Sequence, residues 1–249
     1  MKTHWKISFV CFQLLLVLGL LLGTQATVKA DPYDEGAAAY LAGHYKKALK
    51  IIKPLAEQGH AYAQYSLGSM YDKGRGTLQD YTKAVKWYRK AAEQGNAYAQ
   101  SSLGRMYANG EGVQQDYTKA AKWLRKAADQ GNAEAQYRLG GMYERGQGVP
   151  TNDTEAAKRF RKAAEQGHAK AQYYLGEAYH YGFGVPLDYI QAHKWFNFSA
   201  SRSQGKLHEE SVQNRDVSEQ RMTPAQVAEA QKLAHEWKPK TWEQLSQQN

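Results

Sequence analysis

The chain has 249 residues, a formal net charge of +9 and one cysteine, Cys11. A single cysteine excludes a fold held together by internal disulfide bridges, so stability must come from packing. The positive charge alone is weak evidence for nucleic-acid binding. The histidines are scattered and match no metal-binding motif, so we predict neither a metal nor a cofactor.

Residues 1–30 are typical of a secretory signal peptide. Lys2 and Lys6 precede an apolar run without charges at 7–23, and residues 28–30 end in Ala30, a small residue suited to cleavage. Removing the three lysines of this segment lowers the net charge from +9 to +6. We expect a periplasmic or secreted protein, which further disfavours nucleic acid as a partner. The alternative is an uncleaved membrane anchor, because about 17 apolar residues can just span a bilayer.

The remaining sequence repeats with a period of 36 residues and no gaps. Each copy begins with Ala, an acidic residue, Gln and Gly, and the four copies are 56–91, 92–127, 128–163 and 164–200. Residues 31–55 match a shortened first unit. A fixed period of this size predicts a solenoid of stacked supersecondary units.

Each copy is predicted to contain two helices, A and B. In the second copy, Leu103 and Met106 recur at helical spacing on the buried side of helix A. Asn96 is placed to start helix A, and Asp116 is the expected N-cap of helix B. A glycine in mid-helix A costs about 0.5–1 kcal/mol relative to alanine, and its recurrence predicts close contact between helices. These glycines are Gly68, Gly104, Gly140 and Gly176.

A pair of glycines follows helix A in every copy. Glycines ahead of a helix can hold a phosphate or form a turn. A phosphate loop follows a strand and carries Gly-Lys-Ser/Thr or a third glycine, and neither feature is present. We therefore predict a turn at the pairs Gly74/Gly76, Gly110/Gly112, Gly146/Gly148 and Gly182/Gly184.

The pattern A-x-x-G-x-x-x-A-Q-x-x-L-G-x-x-Y-x-x-G-x-G-V, followed by D-Y-x-x-A-x-x-W, resembles the Sel1-like repeat family. This family is a subclass of the tetratricopeptide-like repeats. The resemblance covers 56–200 and implies an all-α fold, an αα-hairpin solenoid forming a right-handed superhelix. Two positions depart from the pattern: Arg159 replaces a tryptophan, and Ala178 replaces a methionine.

The repeat pattern fades after residue 200. Residues 201–240 are predicted to form C-terminal capping helices, with Thr223 as an N-cap and Pro224 at the first helical position. An apolar face there comprises Val227, Ala230, Ala234 and Trp237. Residues 241–249 are expected to be a frayed tail.

The residues that change between copies lie on one face of helix A. The family resemblance implies that helix A lines the concave side, the usual binding surface of αα solenoids. Tyrosine and arginine are common in protein interfaces. We therefore predict an exported, non-enzymatic adaptor that binds a protein or peptide. Its predicted binding residues are Tyr62, Tyr98, Arg105, Asn109, Arg138, Arg145, Tyr174, Glu177 and Tyr181. A packing role is the alternative for the recurrent Tyr65, Tyr137 and Tyr173.

Two other functions fit parts of the sequence. Ser203 and Lys206 match Ser-x-x-Lys of penicillin-recognising hydrolases, and some cysteine-rich relatives are linked to that activity. However, the companion Ser-Asp-Asn and Lys-Thr-Gly motifs are absent. A structural protein on an anionic envelope surface is the second alternative. It would use the helix B lysines 83, 86, 90, 119, 122, 126, 158 and 162, whose simpler interpretation is a solvated outer face.

Overall fold

The computed structural model describes residues 31–246, which contain thirteen α-helices and no β-strand. The helices are α1 (Pro32–Leu41), α2 (Tyr45–Glu57), α3 (Ala61–Lys73), α4 (Tyr81–Glu93), α5 (Ala97–Asn109), α6 (Tyr117–Asp129), α7 (Ala133–Arg145), α8 (Asp153–Glu165), α9 (Ala169–Tyr181), α10 (Tyr189–Arg202), α11 (Lys206–Glu219), α12 (Pro224–Glu236) and α13 (Trp242–Ser246). From α1 to α11, each helix packs against the next one in the chain. This pattern of neighbour contacts is that of an αα-hairpin solenoid, as predicted.

Helices A and B of repeat 1 are α3 and α4, and repeats 2, 3 and 4 follow as α5/α6, α7/α8 and α9/α10. The hairpin α1/α2 precedes repeat 1. After repeat 4, α11 packs against α10, and α12 also lies on α10. Ala230 is buried on the predicted apolar face of α12, so these helices cover the end of the stack.

Side-chain caps determine where the repeat helices begin. Asn96 Oδ1 accepts a hydrogen bond from the backbone N–H of Ala99 at the start of α5 (2.9 Å). His60 Nδ1 performs the same role for Ala63 in α3 (3.1 Å). Such caps satisfy backbone donors that the first helical turn leaves unpaired. The predicted helix B caps are confirmed at Asp80, Asp116, Asn152 and Asp188.

The glycine pair forms the turn between helices A and B. In repeat 2, Gly110 (φ 72°) ends α5 in the left-handed conformation, and Gly112 (φ 68°) follows. A side chain at Gly112 would overlap the backbone carbonyl of Tyr81, at the start of α4. Glycine is therefore needed for both backbone conformation and close approach to the preceding repeat. The predicted turn is confirmed.

The mid-helix glycines allow large side chains of helix B to pack directly on helix A. A Cβ atom at Gly104 would lie 2.6 Å from Leu124 Cγ, and one at Gly140 would lie 2.7 Å from Phe160 Cε1. Leu124 and Phe160 are buried. The close contact predicted from the recurring glycine is therefore a contact within each hairpin.

A buried glutamine of helix A connects neighbouring repeats. Gln100 Nε2 donates to the carbonyl oxygen of Ala92 at the end of α4 (3.1 Å). Gln100 Oε1 accepts from Gln130 Nε2, just beyond α6 (2.7 Å). Repeats 1 and 3 contain the same pair of hydrogen bonds, at Gln64 and Gln136. Each of these glutamines therefore links three consecutive helices.

A C-terminal strap, residues 237–246, runs back over the repeats. The Trp237 ring packs on Phe198 of α10, with 4.3 Å between ring centroids. The backbone N–H of Lys240 donates to the carbonyl oxygen of Glu165 (2.8 Å), which ends α8. The strap therefore contacts both the last repeat and the one before it.

The strap also supplies a tryptophan where the repeat pattern lacks one. In repeat 1, Lys90 Nζ lies 4.8 Å from the ring centroid of Trp87. Arg159 replaces this tryptophan in repeat 3, and Lys162 Nζ instead lies 5.8 Å from the ring of Trp242. Trp242 thus lies near Lys162 in the repeat that lacks the tryptophan of helix B.

The prediction of a frayed tail over 241–249 is wrong for residues 242–246. They form α13, and Leu245 is buried. The Trp242 side chain lies against Gly131, in the turn before α7, because glycine leaves room for the indole. Residues 247–249 lie outside the described residues, as does the predicted signal peptide, residues 1–30.

Replacing Gly140 with alanine should destabilise the protein. The new methyl group meets the Phe160 ring, and overpacking of this kind costs about 1–3 kcal/mol. The helix propensity of alanine offsets about 1 kcal/mol at most. Urea unfolding should therefore show a lower midpoint for Gly140→Ala than for the unchanged chain.

The adjacent Gly141 supplies a matched control in the same helix. A Cβ atom there would meet only the end of the flexible Arg145 side chain, 2.9 Å from Nη2. Gly141→Ala should therefore be neutral or stabilising by up to about 1 kcal/mol. Equal losses of stability in the two variants would contradict the proposed role of the Gly140–Phe160 contact.

Candidate functional site

Some alternate helices of the stack contact each other directly. Helices A of repeats 2 and 3, α5 and α7, make such a contact, and so do α1 and α3. The concave position of the helix A layer remains a prediction from the family resemblance. The variable side of this layer is the predicted binding face.

Two neighbouring pockets open along this face. The acidic pocket has a volume of about 310 Å³ and lies between repeats 3 and 4. It is lined by Glu144, Asp153, Ala156, Ala157, Phe160, Tyr174, Glu177, Ala178, Tyr181 and Phe183. The basic pocket, of about 270 Å³, lies between repeats 2 and 3. It is lined by Ala108, Asn109, Tyr117, Leu124, Tyr137, Arg138, Gly141, Met142, Arg145, Gln147, Phe160 and Tyr174.

Tyr174 and Phe160 form the wall shared by the two pockets. Their rings are stacked, with centroids 5.2 Å apart, and Tyr137 packs beside Tyr174 at 5.8 Å. Aromatic groups held in this way present a fixed surface and lose little conformational freedom on binding. The wall therefore has a defined shape in the absence of a partner.

The arginines of the basic pocket are held by carboxylates but remain accessible. Arg138 Nε lies 2.5 Å from Glu134 Oε1, and Arg145 Nη1 lies 3.3 Å from Glu144 Oε2. The Arg145 side chain is 52% exposed. It extends along the boundary between the pockets and can still donate to an incoming group.

The carboxyl groups of the acidic pocket are partly removed from water. Burial raises the pKa of Glu144 above its ordinary value, against the opposing effect of Arg145. Burial also raises the pKa of Glu177, and the nearby charges of Glu144 and Glu210 add to this effect. Neighbouring carboxylates in a partly desolvated site favour an entering positive charge.

Comparison with known proteins identifies the family. The Sel1 repeat model matches residues 61–96, 97–132, 133–168 and 169–203, which together make up more than half of the chain. The chain belongs to the Sel1 repeat family. Each matched unit begins at helix A and has the period of 36 residues found in the sequence. A comparison with curated proteins gives no match.

Solved structures include similar Sel1 repeat proteins. One from Oxalobacter formigenes is 30% identical, with a TM-score of 0.63 over 77% of this chain and 86% of that chain. A protective antigen present in uropathogenic Escherichia coli strains, displaying an SLR fold, is 31% identical with a TM-score of 0.52. That alignment covers 82% of this chain and 52% of the antigen. A putative Sel1 repeat protein from Klebsiella pneumoniae, at 23% identity and a TM-score of 0.51, shares the fold.

The two pockets lie at equivalent places in consecutive Sel1 repeats. Moving 36 residues along the chain converts eight of the twelve residues that line the basic pocket into residues that line the acidic pocket. Ala108 becomes Glu144 and Gly141 becomes Glu177, while both arginines become tyrosines. The repeat frame thus holds two different sets of side chains at equivalent places.

Six of the nine predicted binding residues line these pockets. They are Asn109, Arg138, Arg145, Tyr174, Glu177 and Tyr181. Tyr62 and Tyr98 lie outside both pockets, near the starts of α3 and α5, with more than half of each side chain exposed. These two remain predictions for a wider contact surface.

Arg105, also predicted as a binding residue, has ion-pair partners within the protein. It forms ion pairs with Asp72 (2.5 Å) and with Glu111, and only 23% of its side chain is exposed. Tyr88 also donates a hydrogen bond to Asp72 (3.1 Å). The guanidinium group is therefore used inside the protein, and variation at this position reflects an internal partner.

Four residues of the acidic pocket were not predicted from the sequence: Glu144, Asp153, Phe160 and Phe183. Phe183 lies between the paired glycines, a position occupied by Arg75, Glu111 and Gln147 in the other copies. Variation inside a constant glycine pair was the available signal.

The side chains on which the two alternative functions depend, a hydrolase and an envelope-binding protein, make contacts within the chain. Ser203 Oγ donates to the carbonyl oxygen of Ser199 (2.6 Å), and Lys206 Nζ pairs with Glu210 (3.3 Å). Lys90 and Lys126 lie over Trp87 and Trp123 on the outer face. Within residues 31–246, no three His, Cys, Asp or Glu side chains are grouped to hold a metal ion. In the same range, no helix is long and apolar enough to cross a membrane.

Glu134, beside the basic pocket, should make stability depend on pH. Ala171 N–H donates to His168 Nδ1 (3.1 Å), so His168 Nε2 carries the proton that reaches Glu134 (2.9 Å). This hydrogen bond and the charge of Arg138 lower the pKa of Glu134 from 4.5 to about 2. A lowered pKa stabilises the fold fully above pH 4.5, and the contribution disappears as pH falls towards 2.

Glu134→Gln should therefore reduce the free energy of unfolding at pH 7 by about 1 kcal/mol. This value is smaller than the free energy that the full pKa shift would imply, because the Glu134 side chain is 44% exposed and screened by water. Urea unfolding between pH 7 and pH 3 should show the deficit shrinking with acidity. Glu57→Gln, at an exposed surface pair, should show little change. A Glu134→Gln deficit that stays constant down to pH 3 would contradict this assignment.

Proposed function

We propose that this protein is an exported, non-enzymatic scaffold that binds a protein or peptide along its concave face. Sel1 repeat proteins generally act as scaffolds for protein interactions. What this proposal adds is the location of binding, across the basic and acidic pockets. The main supporting observation is the pair of equivalent pockets, one repeat apart and carrying different charges.

The arrangement favours an extended partner segment. Successive repeats place equivalent pockets in a row, so one segment can contact both and gain from two linked contacts. The shared wall of Tyr174 and Phe160 offers aromatic surface between the charged groups. Buried aromatic and arginine side chains supply most of the binding energy in many protein interfaces.

Photo-crosslinking in the native cell tests this placement. A photoreactive residue at position 181, at the mouth of the acidic pocket, should capture a partner that mass spectrometry can identify. The same residue at position 122, on the exposed side of helix B, is the matched control and should not capture it. Capture from position 122 alone would place the interface on the outer face.

Substitutions in the shared wall and the basic pocket provide the second test. Tyr174→Ala combined with Arg138→Ala should lower recovery of that partner at least about tenfold, since interface residues of this kind often contribute more than 1 kcal/mol each. Lys86→Ala with Lys122→Ala is the control on the outer face. Unfolding curves confirm that both double variants are folded. Unchanged recovery with Tyr174→Ala/Arg138→Ala would refute binding at the pockets.

The export part of the proposal rests on residues 1–30, with their lysines, apolar run and Ala30. Cell fractionation and intact-mass measurement should recover a soluble chain that begins at Asp31. Recovery of the chain with residues 1–30 intact in the membrane fraction would instead support the uncleaved anchor.

A further inference from the structure

We propose that the acidic pocket recognises an arginine or lysine side chain of the partner polypeptide. This inference rests on the proposed function, since it assumes that a polypeptide lies along the concave face. It specifies the chemistry of one anchor residue in that partner.

The protein already contains an arginine bound at the equivalent place two repeats earlier. Asp72 occupies there the position of Glu144, and Glu111 occupies the position of Phe183. Arg105 lies between Asp72 and Glu111 and pairs with both, mostly buried. The Tyr88 hydroxyl completes the site with a hydrogen bond to Asp72. This frame can therefore hold a guanidinium group between carboxylates.

In the acidic pocket the internal cation is replaced by another carboxylate. Glu177 stands at the position of Arg105, and Glu144 and Asp153 also line the pocket. The lining residues include neither lysine nor arginine. Arg145 contacts Glu144 at 3.3 Å from the boundary with the basic pocket, and the Tyr173 hydroxyl donates a hydrogen bond to Glu177. Glu177 and Asp153 line the pocket without a cation from the lining residues to balance their charge. A cation from a partner would supply the charge that Arg105 supplies in the earlier repeat.

The remaining walls suit the rest of such a side chain. The rings of Tyr181 and Phe183 are stacked at 5.4 Å and are 56% and 55% exposed at the mouth of the pocket. Aromatic faces attract guanidinium and ammonium groups and also pack against their apolar stems. The volume of about 310 Å³ accommodates one long side chain. Calcium and magnesium ions prefer a full shell of oxygen ligands, so this mixed aromatic lining favours an organic cation over either ion.

The basic pocket shows that these features are local. It has the same frame, but Gly141 and Ala108 replace the two glutamates, and Arg138 and Arg145 replace the tyrosines. A cationic side chain should therefore avoid the basic pocket and enter the acidic one. The chain thus contains an internal comparison for charge selectivity.

A titration with short peptides tests the inference. The probe is acetyl-Gly-Gly-Arg-Gly-Gly-amide, and its control replaces arginine with citrulline, which is neutral and nearly the same shape. Nuclear magnetic resonance of ¹⁵N-labelled protein, purified from cells expressing the full chain, should show saturable shifts around Tyr181 and Phe183. Arginine should bind at least about fivefold more tightly than citrulline, because charge-assisted hydrogen bonds are the stronger ones.

Variants separate the charge of the pocket from its shape. Glu144→Gln combined with Glu177→Gln preserves side-chain size and should weaken arginine binding at least about fivefold. Lys122→Ala, on the exposed side of helix B, should leave the affinity unchanged. Equal binding of arginine and citrulline peptides, no saturable shift at the pocket, or full binding by the double variant would each overturn the inference.

The results also distinguish this inference from the proposed function. If partner capture requires Tyr174 and Arg138 but arginine does not bind selectively, the concave interface is supported and the cationic anchor is refuted. The opposite result is also informative. If arginine binds selectively but Tyr174→Ala/Arg138→Ala still captures the partner, the cationic preference of the acidic pocket is supported and the proposed interface is refuted.

Discussion

The hydrogen bonds of one buried glutamine per helix A set the geometry on which the structure depends. Gln100 and Gln136 each connect the end of the preceding helix B to the glutamine that follows their own helix B. An unpaired polar group in this interior costs free energy, so the paired glutamines favour this arrangement of the helices. In repeat 4, Arg202 stands where the next glutamine would be, and Gln172 Oε1 is buried with no hydrogen-bond partner among residues 31–246. The regular linkage therefore ends where the capping helices begin.

Because this linkage keeps the repeats in register, equivalent pockets differ through their side chains alone. One position shows the range: it is Arg105 in repeat 2, Gly141 in repeat 3 and Glu177 in repeat 4. The first fills its pocket with an internal ion pair, the second leaves space, and the third adds a carboxylate. The backbone positions these groups, while their chemistry changes from one repeat to the next.

Sequence reasoning predicted the helices, caps and turns because their determinants lie within a few residues. Asp116 and Gly110 act on their own helix ends, and the period of 36 repeats those local signals four times. Six of the residues that line the two pockets were also predicted, on one face of helix A. The ion pair between Arg105 and Asp72 could not be predicted in the same way, because the two residues lie 33 positions apart in the chain. The position of Trp242 against Gly131 depended on tertiary packing that no period in the sequence records.

The C-terminal strap packs on repeat 3, and this contact should change the order in which the repeats unfold. In a linear array, each repeat is held by its immediate neighbours, and unfolding can begin at either end. Trp237 lies on repeat 4 and Trp242 on the turn that begins repeat 3, so a single segment joins two units that would otherwise separate one at a time. We therefore expect repeats 3 and 4 to unfold as one cooperative block, while the opposite end depends on nearest-neighbour contacts. The acidic pocket, formed at the junction of these two repeats, lies within the part of the molecule where local opening is suppressed.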